Sequence, residues 1–166
     1  EIDDVINAID LSKKEGQRNR AMIEMLYSCG LRVSELCALK MSDLYLQEQF
    51  IRVTGKGDKQ RLVPISSRAI AELEAYFADR NRIPIKPGYE DYVFISERLK
   101  KPLSRIMVFH FIKQLVLDAG INGIFPVFTL EIYEQRHRAH IQAAKHFLGQ
   151  IAAGVGNNFI VSHLIH

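Results

Sequence analysis

Apolar positions along the chain follow two periods, and the switch between them separates helices from a hairpin. Met22, Met25, Leu26 and Cys29 recur at helical spacing, so a helix is expected between the polar stretch Ser12-Lys13-Lys14-Glu15-Gly16 and Gly30. A shorter helical segment precedes it, from Glu1 to Ile9. Gly30 is placed to end the longer helix, and Ser34 with Glu35 opens another that runs through Leu36 and Leu39. Arg32 falls in the tight connection between the two.

From Gln49 the pattern turns to β. Phe50, Ile51 and Val53 lead into a Gly-rich turn at Gly55 to Asp58, and Leu62-Val63-Pro64-Ile65 returns, which predicts a hairpin with Lys56 in its turn region. Ser66 and Ser67 are candidate N-caps for a helix through Ile70, Leu73 and Phe77, and Pro84, Pro87 and Gly88 mark the loop that follows it. Val93-Phe94-Ile95 reads as a short buried strand. Ser104 starts a helix with Val108, Phe109, Ile112, Leu115 and Val116 inward and Gly120 at its end. Further on, Ile124-Phe125-Pro126-Val127-Phe128 fits strand or loop, Ile132 to Leu148 fits a helix, and Gly154-Val155-Gly156-Asn157-Asn158 breaks it. These elements describe an α+β chain, mainly α, with a small antiparallel β-hairpin or sheet.

Composition narrows the class without naming a function. The 166 residues, 48% apolar and 25% charged, suit one globular domain with its own core, and no repeat, low-complexity tract, signal peptide or membrane-length apolar run interrupts them. A net charge of +3 is too small to argue for nucleic acid. Its distribution says more: no Asp or Glu follows Glu134, whereas Arg136, Arg138, Lys145 and five of the six His lie beyond it, so this quarter is suited to face an anion. Cys29 and Cys37 lack zinc-finger spacing and read as reduced thiols of a cytoplasmic protein. His137, His140 and His146 lack the H-E-x-x-H arrangement of a zinc peptidase, so no metal site is expected there.

Two segments carry more information than composition does. Gly30-Leu31-Arg32-Val33-Ser34-Glu35-Leu36 and the run Val53 to Pro64, with Gly55-Lys56-Gly57-Asp58-Lys59 at its centre, resemble two boxes of the tyrosine recombinases, the family of phage integrases and chromosome-dimer-resolving enzymes. The likeness extends loosely through the Ser104 to Gly120 helix and covers about two thirds of the chain. It implies a tyrosine recombinase-like catalytic domain over residues 1–166, with a tail from about 121 that matches poorly. It also implies that the family's N-terminal DNA-gripping domain is absent from this chain. The implied partners are double-stranded DNA and further copies of the protein, four to a synapse. No cofactor, metal or membrane is implied.

In that family a tyrosine hydroxyl attacks the scissile phosphate, leaving a 3′-phosphotyrosine and a free 5′-hydroxyl. Negative charge builds on the nonbridging oxygens, and without a metal fixed cations must meet it. The resemblance gives Arg32 the role of the first catalytic arginine, for which a planar fork that stays protonated is suited. It makes Lys56 the catalytic lysine, whose proton can pass to the departing 5′-oxygen. Arg52, Lys59, Arg61 and Arg105 are read as phosphate contacts or solvated surface.

The later boxes are not intact. Tyr133-Glu134-Gln135-Arg136-His137 lies near the expected H-x-x-R-H box, which makes Arg136 the second catalytic arginine and puts Tyr133 in the first histidine position. A second alignment takes Leu130-Glu131-Ile132-Tyr133 as the segment before the nucleophile, which makes Tyr133 the attacking residue. Under the first, the chain is expected to end before the nucleophile, and His163 stands in for the L-G-H histidine, since Leu148-Gly149-Gln150 comes too soon and has Gln in its place. The competing function is a DNA-binding module without catalysis.

Overall fold

The computed structural model describes residues 2–118. Five helices order the described residues: α1 (Ile2–Asn7), α2 (Gly16–Ser28), α3 (Val33–Ala38), α4 (Ser67–Arg80) and α5 (Arg105–Asp118). Between α3 and α4 lies an antiparallel sheet of β1 (Leu44–Tyr45), β2 (Phe50–Thr54) and β3 (Gln60–Pro64), in that order. A second, two-stranded ladder pairs β4 (Ile95–Ser96) with β5 (Lys101–Pro102) before α5.

The amphipathic stripe of α2 becomes the centre of the core. Met22, Met25 and Leu26 are each at most 1% exposed, and burying side chains of this size contributes about 1.5–3 kcal/mol apiece. Across from it, α4 packs Ala69, Leu73 and Tyr76 inward. Ion pairs stitch the rims of the two helices, Arg20 to Glu72 at 2.9 Å and Arg68 to the buried Glu24 at 3.0 Å. Burial raises the Glu24 carboxyl above its ordinary value, and Arg68 offsets that only in part.

Caps and turns fall largely where the side chains predict them. Ser66 Oγ accepts the Ala69 N–H at 3.1 Å and so starts α4, and Ser104 Oγ accepts from Met107 at 3.3 Å at the start of α5. Gly30 takes φ +57, the left-handed conformation that lets the chain turn from α2 towards α3 without a Cβ penalty. The α3 helix begins one residue earlier than Ser34 and ends at Ala38, so Leu39 leaves in extended conformation.

Three further positions depart from expectation. The sheet has a third strand, β1, whose two residues are too few to show a period. Val93 and Phe94 are buried but precede the ladder, which pairs Ile95 with Pro102. They are held instead by α4: Tyr76 stacks on Phe94 with centroids 5.6 Å apart, donates from its hydroxyl to Val93 O and accepts from Ile95 N. Arg80 donates to the carbonyls of Glu90, Tyr92 and Val93. Phe109, expected inward, is half-exposed at the edge of a stripe centred on Val108, Ile112 and Leu115. No helix among the described residues is long and apolar enough to cross a membrane. The expected helix end at Gly120 and every element placed after it lie outside the described residues.

Candidate functional site

Arg32 is the N-cap of α3, with φ −71 and ψ 150. Its position is set by Glu35, one turn into the helix, whose Oε2 accepts the Arg32 backbone N–H at 2.8 Å. This satisfies one of the donors that a helix start leaves unpaired. The Arg32 side chain is 48% exposed, and its Nη1 lies 3.5 Å from Glu35 Oε1. Arg32 thus has a fixed backbone and a side chain directed to solvent.

Glu35 is nearly inaccessible, with 3% of its side chain exposed, and its main partner comes from the sheet. Arg61 reaches it with both terminal nitrogens, Nη1 to Oε1 at 2.8 Å and Nη2 to Oε2 at 2.9 Å. Burial alone would raise the Glu35 carboxyl. The Arg61 hydrogen bonds, the Arg32 N–H and the two positive charges outweigh it and hold the group below its ordinary value.

The hairpin explains why Arg61 can do this. Ile51 pairs with Val63 and Val53 with Arg61, and residues opposite one another point to the same face. Ile51, Val53 and Val63 are buried, so Arg61 projects inward beside them while Gln60 and Leu62 face water. Sequence reasoning missed this, since Arg61 was read as a phosphate contact or solvated surface. The available signal was alternation, because Arg61, Val63 and Ile65 share one phase of the strand.

The ladder continues to the turn, where Gly55 N donates to Lys59 O at 2.8 Å. Lys56 to Asp58 form a kinked turn in which Gly57 has φ +73 and Asp58 φ +55. Lys56 directly follows Gly55, which together with Arg32, Ser34, Glu35 and Thr54 lines an open cleft of about 400 Å³. The fold therefore brings the Arg32 position and the start of the turn that contains Lys56 to one cleft.

The other basic candidates divide. Arg52 is held by Asp43, with Nη2 to Oδ1 at 2.8 Å, whereas Lys59 and Arg105 are exposed. Arg136, Tyr133 and His163 lie outside the described residues, as do His137, His140 and His146. Among the described residues no group of three or more His, Cys, Asp or Glu is placed to hold a metal. Both cysteines are free thiols; burial pushes Cys29 up to about 12 and Cys37 up to about 11.

The sequence matches the phage integrase family over residues 1–146. The chain belongs to that family. Its relatives within the phage integrase family include tyrosine recombinase XerD of Pseudomonas putida, 35% identical over 153 residues that span 90% of this chain and 51% of the relative. Among solved structures, XerA recombinase superposes with a TM-score of 0.63 at 34% identity, covering 73% of this chain and 41% of that one. XerH site-specific recombinase bound to its difH substrate gives a TM-score of 0.62 at 26% identity, covering 74% and 36%. The chain spans about half the length of the curated relatives it matches.

Proposed function

We propose that residues 1–166 act as the catalytic domain of a site-specific DNA recombinase that cuts and rejoins strands through a 3′-phosphotyrosine. The carrying observation is the shared cleft, which joins the Arg32 position at the start of α3 to the turn bearing Lys56. Membership of the phage integrase family and the likeness to a DNA-bound recombinase, XerH, support the same reading.

In this reading Arg32 meets the charge that grows on a nonbridging phosphate oxygen, using a guanidinium that is exposed yet anchored through its own backbone. Lys56 gives a proton to the departing 5′-oxygen. Arg136 is the second arginine, with His163 completing the set, or else Tyr133 is the nucleophile. Double-stranded DNA is the substrate, and several copies assemble on it.

A nicked suicide duplex tests the reading, because cleavage then traps a covalent protein–DNA adduct. The full-length protein is expected to form one, Arg32→Ala to slow it by about 10²–10³-fold, and Lys56→Ala by about 10²-fold. Tyr133→Phe tests the second alignment: loss of the adduct makes Tyr133 the nucleophile, and its persistence excludes that role. Salt-sensitive DNA binding without any adduct would overturn the proposal in favour of a binding module.

A further inference from the structure

We propose that Arg61 is a positioning residue, which through Glu35 locks the turn carrying Lys56 to the start of the helix carrying Arg32. The inference rests on the recombinase reading and adds to it a residue that touches neither DNA nor the reacting atoms. Both terminal nitrogens of Arg61 are committed to Glu35, and its Nε is buried without a hydrogen-bond partner, so the side chain faces the protein interior.

One carboxylate serves both sides of the cleft. Glu35 Oε2 holds the Arg32 N–H at 2.8 Å and also takes Arg61 Nη2 at 2.9 Å, while Oε1 takes Arg61 Nη1. Arg61 is tied in turn to the turn itself, through the Val53–Arg61 and Thr54–Gln60 pairs and the Gly55 N to Lys59 O bond. No unpaired residue intervenes between Arg61 and the base of the turn, so tilting the hairpin away from α3 requires breaking the ion pair. The bidentate geometry fixes direction as well as distance, which a single point charge would not do.

Stability alone does not call for such a pair. An apolar residue at this inward strand position would extend the Ile51, Val53 and Val63 surface, and replacing buried ion pairs by packed apolar groups is often neutral or stabilising. What an apolar residue cannot supply is a fixed orientation of the hairpin relative to the Arg32 backbone. Two cations that must act on one phosphate need that orientation, since a misplacement of about 1 Å can cost about 10²-fold in rate.

The test uses the full chain and a suicide duplex whose site is selected from a random library by covalent capture on the wild-type protein. The duplex is made with oxygen or with sulfur at the 5′-bridging position. When the P–O5′ bond breaks, the oxygen must take a proton; sulfur leaves as a thiolate and needs none. Arg61→Gln is expected to cleave the oxygen substrate about tenfold more slowly and to regain most of the loss on sulfur, in parallel with Lys56→Ala. Arg61→Lys, which keeps one prong, should fall between wild type and Arg61→Gln, and it carries the test if Arg61→Gln does not fold. Amide exchange at Gly55 should accelerate in both variants.

Equal losses on the two substrates would mark Arg61 as merely structural and overturn the proposal, as would wild-type rates on both. If sulfur rescues Lys56→Ala but not Arg61→Gln, the positioning role alone fails. If sulfur rescues neither, or if wild type captures no DNA, the underlying assignment of Lys56 or of the activity is what fails.

Discussion

Glu35 and Arg61 meet through two parallel hydrogen bonds, 2.8 and 2.9 Å long, across 26 residues of chain. Removing the carboxylate leaves Arg61 inward without a counter-charge and Arg32 N–H without its acceptor. Glu35→Ala is therefore expected to cost about 2–3 kcal/mol, towards the low side for a broken buried pair because Arg61 keeps some access to water. Urea unfolding measures it, and a loss below the scatter of that method would contradict the pairing.

The same carboxylate sets a pH dependence. Its folded-state pKa lies below the ordinary 4.5, so Glu35 adds stability that is fully present above that value and is lost as pH falls through the folded one. Glu24 works in the opposite sense: its pKa is raised, so its charge weakens the fold as pH rises above 4.5. Comparing wild type with Glu35→Gln isolates the first effect. The gap in urea midpoint between them should be widest near pH 7 and shrink as pH falls below 4.5; a constant gap counts against it.

Gly57 holds φ +73 with open space around the position where a Cβ would stand. A substitution there meets no neighbour, only backbone strain. Gly57→Val is expected to destabilise by roughly 1–2 kcal/mol and Gly57→Asn by much less, because Asn tolerates this conformation. Chemical denaturation of the two variants distinguishes them, and equal costs would show that the turn relaxes into another shape.

Tyr76 supports the segment between α4 and the β4–β5 ladder through its hydroxyl. Tyr76→Phe keeps the stack on Phe94 and leaves Val93 O with its Arg80 Nε donor, but strands Ile95 N in a buried residue. The expected loss is about 1–3 kcal/mol, with an unchanged slope against urea since little extra surface is exposed. An unaltered midpoint would mean that Ile95 N finds another partner.

Legibility in the sequence followed the strength of local periodicity. The α2 stripe and the β2–β3 hairpin were readable because apolar spacing, Gly30 and the Gly55–Asp58 turn agree with one another. Strand β1 was not, because two residues show no alternation and pair only through tertiary contact with Phe50 and Ile51. Phe109 was misread because it adjoins Val108, and a neighbour on a helix is turned about a quarter circle away. For the candidate site, the two boxes point to Arg32 and Lys56 by resemblance alone. Arg61 escaped because a charged residue in a strand is ordinarily assigned to the water face, and only the partner 26 residues earlier reverses that.

Sliding β3 by one residue along β2 would turn Arg61 and Val63 outward and carry Gln60 and Leu62 into the interior, since faces alternate along a strand. Glu35 would then face a neutral side chain, buried and uncompensated. Apolar residues distinguish such alignments weakly, for Leu62 could fill a place meant for Val63. The ion pair distinguishes them sharply, so a lone inward charge works as a spelling check on the strand alignment and leaves the hairpin one way to be read.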